Sequence, residues 1–166
     1  MKSHRRIILV LFTLILCIGS DQITKEIAGS HLPGMKPLAL VRGMLRLDYV
    51  ENKGAVFAPE RLLPQKWRGK NVTMVVAVFL GLSVVFLMLA TGLRFPTVFG
   101  LSLFCGGSLS NLFDRIAFKR VVDFLKLGLP GFQPYIFNLA DVAIGAGIII
   151  AILGNVIIFV KGASLK

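Results

Sequence analysis

The chain has 166 residues, of which 55% are hydrophobic and only 16% charged, and it carries a formal net charge of +11. That balance is too apolar for an ordinary water-soluble domain and points to an integral membrane protein. The lysines and arginines lie between apolar runs rather than along one helical face, and no nucleic-acid-binding motif accompanies them. Anionic lipid head groups are therefore the expected counter-charge, and nucleic acid is not an expected partner.

The chain opens with Lys2, Arg5 and Arg6, followed by an uncharged run from Ile7 to Ser20. The run is short for a membrane span, so its helix must continue through Asp21 towards Lys25 to reach roughly 20 residues. A cleaved signal peptide is disfavoured: no small-x-small site closes the run, and bulky Leu16 stands before Cys17. On a helix Cys17, Asp21 and Lys25 share one face, and an Asp21 to Lys25 ion pair at the membrane border is the plain structural reading. Cys17 and Cys105 both fall inside apolar runs without a CxxC pattern, and are read as free buried thiols.

From Ala28 to Lys70 the composition turns to proline, glycine and charge. The alternation Leu45-Arg46-Leu47-Asp48-Tyr49 predicts strands, with turn signals at Gly43 and Asn52-Lys53-Gly54, giving a sheet of two or three strands outside the membrane. The basic stretch Pro59 to Lys70, with Trp67, suits the head-group level. Three further uncharged runs follow, Asn71 to Leu93, Phe95 to Phe113 and Val142 to Val160, each long enough to span. Only Arg94 separates the first two, which implies a tight hairpin. Ala143, Gly147 and Ala151 form a small-residue stripe on the last helix that allows close helix approach.

The expected architecture is an all-α integral membrane protein, one domain over residues 1–166. A four-helix transmembrane bundle (helices about 7–26, 71–93, 95–116 and 137–160) carries a small extramembrane β-sheet in the first outer loop, 28–70; a second outer loop covers 117–136. The basic start favours cytoplasmic termini, although the outer connections hold more basic residues than the terminus side.

Acidic residues beside these spans need a reason, because a carboxylate in hydrocarbon costs about 2.5–3.5 kcal/mol. In an up-down bundle the end of the first helix, the end of the third and the start of the fourth share one membrane face, so Asp21, Asp114 and Asp141 converge. Asp123, within Val121-Val122-Asp123-Phe124, is held near the same face, and Gly128, Pro130, Gly131 and Pro134 supply turns that fold its loop back over the bundle. Asn111 and Asp114 line one face of the third helix with Arg115 adjacent, and Asn138 and Asp141 stand three residues apart on the fourth.

Four readings of this polar pocket remain open. The acids are neutralised structurally, Asp21 by Lys25 and Asp114 by Arg115, which explains Asp123 and Asp141 least. They bind a divalent metal, for which no recognised ligand spacing is present. They form an ion or proton path, although all lie at one membrane face. Or two of them share a proton and act as acid and base on a peptide bond.

At these residues the chain resembles the lipoprotein signal peptidases, or signal peptidase II, a family of aspartic proteases of the bacterial inner membrane. The resemblance rests on five blocks in order: Ser20-Asp21-Gln22-Ile23-Thr24-Lys25, Asn52-Lys53-Gly54-Ala55, Gly106-Gly107 through Asn111 to Asp114-Arg115, Val121-Val122-Asp123-Phe124, and Phe137-Asn138-Leu139-Ala140-Asp141. It implies four membrane helices with cytoplasmic termini and an active site near the outer face. The implied activity is removal of signal peptides from prolipoproteins by cleavage before a diacylglyceryl-modified cysteine, with Asp123 and Asp141 as the catalytic pair. Asp21, Lys25, Asn52, Gly54, Asn111, Asp114, Arg115 and Asn138 match the family's supporting, substrate-binding positions. No metal and no organic cofactor are implied, and the expected partners are diacylated prolipoproteins and membrane lipids, with the enzyme a monomer. Three positions depart from the pattern, Ser110, Val56 and Lys119, where the family often has Gly, Ala and Gly. The alternative from another class is a small ion-coupled or lipid-binding membrane protein that uses the clustered acids as a binding site.

Overall fold

The structure, a computed structural model, describes residues 2–41, 44–53, 70–128 and 135–163. Gly43, Gly54, Val56, Pro130, Gly131, Pro134 and residues 59–69 with Trp67 lie outside the described residues. Four long helices, α1 (Ser3–His31), α2 (Lys70–Leu89), α3 (Phe95–Ala117) and α4 (Leu139–Ala163), are joined to four short strands, β1 (Leu38–Leu40), β2 (Leu45–Asn52), β3 (Val121–Leu127) and β4 (Tyr135–Phe137).

The buried stripe of α1 runs through Arg6, Val10, Thr13, Leu14, Cys17, Asp21, Lys25 and Ala28, the three- and four-residue spacing of a single helical face. This helix continues to His31, beyond the expected end near residue 26, and stops where Pro33 and Gly34, at φ +77°, cannot extend it. Arg6 is buried and caps the end of α2: its guanidinium donates to the Met88 carbonyl at 3.0 Å, to the Leu89 carbonyl at 3.3 Å and to the Ala90 carbonyl. A cation on unpaired carbonyls at a helix C-terminus is favourable on both hydrogen-bonding and dipole grounds. Helix α2 ends at Leu89 rather than near Leu93, because Gly92 at φ +84° turns the chain and Pro96 starts α3.

Helix α3 packs against the other three helices. Its buried side includes Gly100, Ser102, Gly106, Gly107 and Ser110, and these small residues let the neighbours come close. A Cβ on Gly106 would stand 2.7 Å from Cys17 Cβ of α1, and one on Gly107 would strike the Ala140 carbonyl of α4. The α4 stripe meets its counterpart here, with Gly147 and Ala151 against Gly100. The same small and polar residues lower the apolarity of α3. Among the described residues, three helical stretches are long and apolar enough to cross a membrane: Ser3–His31, Val72–Leu89 and Leu139–Ile157. Around them Ile8, Phe12, Ile15, Val78, Leu82, Leu89, Ile149 and Ile152 are exposed, a belt of apolar surface that water would not tolerate.

The strands form one antiparallel sheet in the order β1-β2-β3-β4. It therefore draws two strands from each connection and is not confined to the first outer loop: Val121–Leu127 and Tyr135–Phe137 complete it. In β2 the alternation is broken by a bulge between Leu47 and Val50, so that Val50 pairs with Asp123 and Asn52 with Val121. Asn52 then sits diagonally across from Asp123 on one face. At the turn into β3 Lys119, just past the end of α3, has φ +59°, a left-handed conformation that glycine would adopt without strain.

Candidate active site

The site forms where α1, α3, β3 and the start of α4 meet. Asn138, completely buried, is the N-cap of α4. Its Oδ1 accepts the Asp141 backbone N–H at 3.0 Å, and Asp141 Oδ2 reaches back to accept the Asn138 backbone N–H at 3.2 Å. This reciprocal arrangement is a capping box with asparagine and aspartate in the two roles, and it fixes the Asp141 side chain to the helix start. The Asn138 amide also reaches outward, its Nδ2 donating to Asp123 Oδ1 at 2.8 Å and to Asn111 Oδ1 at 3.1 Å. One side chain thus ties together both acids that the sequence leaves without a neighbouring cation.

Asp123, buried on β3, accepts a second bond on Oδ2 from Asn52 Nδ2 at 3.0 Å. Asp141, half-buried, accepts on Oδ1 from Asn111 Nδ2 at 2.9 Å. Burial pushes the Asp123 carboxyl up. The Asn52 hydrogen bond opposes this, the Asp141 charge adds to it, and Asn138 and the Lys25 charge pull partly back.

Behind this pair lies a second cluster. Lys25, buried on α1, places its Nζ 2.6 Å from Asp21 Oδ2, 2.5 Å from Asp114 Oδ2 and 2.9 Å from Asn111 Oδ1. Asp21, completely buried, accepts the Ala140 backbone N–H of α4 at 2.8 Å. The Asp21 to Lys25 pair is thus present, and the cation bound to Asp114 is the same Lys25. Arg115 lies half-buried in the last turn of α3, and Gly54 is outside the described residues. Among the described residues no buried side-chain polar atom lacks a partner. A cavity of about 300 Å³ opens on the Lys25 and Asp114 side, lined also by Gln22, Tyr49, Arg120 and Val122.

Sequence reasoning gave Gln22 and Ser110 no role in the site, noting Ser110 only as a departure from the family pattern. Gln22 Nε2 donates to Asp114 Oδ1 at 2.8 Å and to Ser110 Oγ at 3.0 Å, and the Ser110 hydroxyl donates to Asp21 Oδ2 at 2.7 Å. Helical spacing was the available signal: Gln22 stands three residues before Lys25, and Ser110 four before Asp114.

The fold and this site define a multi-pass membrane protein, mostly helical, with a dense polar network at one end of its helices and a four-stranded sheet over it. The family model described as signal peptidase (SPase) II matches residues 13–157. The chain belongs to the signal peptidase II family, and is a protease of the membrane. Among its relatives are the lipoprotein signal peptidase of Syntrophus aciditrophicus, 32% identical over 89% of this chain and 91% of that one, and that of Caldanaerobacter subterraneus, 32% identical over 94% and 97%. A bacterial membrane enzyme structure obtained by the in meso method at 2.3 Å shares the fold, with a TM-score of 0.72 at 24% identity over 95% of this chain and 90% of that one. Family membership does not favour the ion-coupled or lipid-binding alternative.

Proposed function

We propose that the protein is an aspartic endopeptidase that removes signal peptides from prolipoproteins by cutting before the diacylglyceryl-modified cysteine, with Asp123 and Asp141 as its catalytic pair. What carries this reading is the way Asn138 holds both carboxylates, Asp123 through its amide and Asp141 through the cap of α4, with N–H groups as the donors to both among the described residues. Two acids so held cannot both ionise comfortably and share a proton. Before attack the shared proton is assigned to Asp123, whose carboxyl burial pushes up. Asp141 takes a proton from water as the water oxygen attacks the scissile carbonyl; Asp123 then protonates the amide nitrogen as the carbon–nitrogen bond breaks. Asp21, Lys25, Asn52, Gly54, Asn111, Asp114, Arg115 and Asn138 are assigned supporting or substrate-binding roles, and the enzyme is taken to be monomeric and in contact with lipid.

In this reading α3 crosses the bilayer together with the other three helices, shielded by them despite its polar residues. Both termini lie in the cytoplasm and the site at the outer face of the inner membrane, where a lipid-anchored cysteine is held. The activity is tested with purified enzyme and a diacylated preprotein: cleavage that persists with chelator and is lost in Asp123→Asn and Asp141→Asn supports the assignment. Single cysteines at Lys36 and Ser3 on a Cys-free background test orientation, since an impermeant reagent on intact cells should label the former and not the latter.

A further inference from the structure

We infer that Ser110 and Gln22 are positioning residues for Asp141, acting through Lys25 and Asn111; this rests on the assignment of Asp141 to catalysis. The hydrogen bonds close a ring in which chemistry fixes each direction. Asp21 can only accept, so the Ser110 proton points to it at 2.7 Å and the Ser110 lone pair faces Gln22. The two Gln22 amide protons go to Ser110 at 3.0 Å and to Asp114 at 2.8 Å, which sets the amide's orientation. Asp114 and Asp21 then share Lys25 at 2.5 and 2.6 Å.

With two protons of its ammonium committed to those carboxylates, Lys25 directs the third to Asn111 Oδ1 at 2.9 Å. An asparagine whose oxygen faces a cation must turn its amide nitrogen the other way, and Asn111 Nδ2 meets Asp141 Oδ1 at 2.9 Å. The ring, together with the Asn138 Nδ2 bond to the same Asn111 oxygen at 3.1 Å, thereby sets which end of Asn111 faces the reacting carboxylate. Ser110 is completely buried, so its hydroxyl makes these bonds away from bulk solvent. Where a glycine occupies this position the Asp21 to Gln22 link is absent, and this chain makes the connection with a side chain of its own.

The test compares Ser110→Ala, Ser110→Gly, Ser110→Thr and Gln22→Leu for kcat, KM and melting in detergent micelles. Loss of the hydroxyl or of the amide should lower kcat by about tenfold with KM within about twofold, the scale of one hydrogen bond to a charged group. Ser110→Thr, which keeps the hydroxyl, should recover most of the rate. Wild-type kcat in Ser110→Ala and Ser110→Gly, or a lower melting temperature without a change in kcat, would overturn the inference. Equal loss in Ser110→Thr and Ser110→Ala, both folded, would also overturn it, because the hydroxyl would not be the cause. Asp141→Asn run in parallel separates the two levels: if it keeps activity, the catalytic assignment fails; if it is inactive while the Ser110 and Gln22 variants match wild type, only the positioning role fails.

Discussion

The Asp21–Lys25–Asp114 cluster and the Asp123–Asp141 pair are built from the same kind of side chain and share Asn111, yet they are electrically different. In the first, an ammonium sits between two carboxylates at 2.5 and 2.6 Å and settles their charge. In the second, among the described residues, the bonds to both carboxylates come from asparagine N–H groups, from Asn52, Asn111 and Asn138. A buried cation between two carboxylates makes a brace; neutral donors hold the other two carboxylates in place without supplying a counter-charge. Burial does not separate the two groups, since Asp21, Asp114 and Asp123 are all buried; their partners do, and on the proposed mechanism it is the partner that tells a supporting acid from a reacting one.

The sharpest way to break that contrast is to replace each acid of the pair. Asp123→Asn and Asp141→Asn should each lower turnover by a factor of about 10²–10⁴ or more while melting stays close to wild type. The double variant should be scarcely slower than either single one, because the pair acts as a unit. Initial rates on a diacylated preprotein, with melting in the same micelles, decide it.

The opposite signature is expected from the brace. Lys25→Met leaves Asp21 and Asp114 without their cation and should destabilise the fold by about 3–5 kcal/mol, the scale of a broken buried ion pair. A variant that folds normally but is inactive would move Lys25 out of the brace and into the chemistry.

A third test uses pH. Asp123 is pushed up, chiefly by burial, so its native form holds the proton more tightly than the unfolded chain. Its contribution to stability is fully present below the unfolded value and is lost as pH rises through the raised native one. Activity that needs this proton should fall on the same alkaline side. Asn52→Ala removes a donor that opposes the shift, so the alkaline limb of kcat should move further up, with a partial loss of rate; a limb that moves down would place the proton elsewhere.

The smallest effect is expected away from both clusters. Lys119→Gly relieves a left-handed residue at φ +59° and gives up only an exposed bond from Nζ to the Ile116 carbonyl, so it should stabilise by about 0.5–1 kcal/mol with unchanged kinetics.

Much of this was legible in the chain itself. Apolar length fixed the spanning stretches on α1, α2 and α4, and the order of the acids along an up-down bundle was enough to bring Asp21, Asp114 and Asp141 to one end. Asn138 and Asp141, three residues apart at a helix start, could be read as neighbours because helical periodicity is local. The helix ends were less legible: α1 runs on to His31, and α4 begins after Asn138 because Tyr135–Phe137 pairs as a strand instead.

Tertiary structure decided the partners. Asp114 stands beside Arg115 in sequence, but the ammonium it holds comes from Lys25 of α1, across the helix interface. Alternation along β2 puts Asn52 on the face opposite Leu45 and Leu47; the bulge after Leu47 shifts the phase by one residue and turns Asn52 towards Asp123. Ser110 stands out in sequence only as a departure from the family pattern and Gln22 only as part of a motif; the bonds they make appear when α1 and α3 are packed together. Sequence carries the local periods because each follows from the geometry of one helix or strand. Which donor meets which carboxylate depends on the packing between elements, and no local period encodes that.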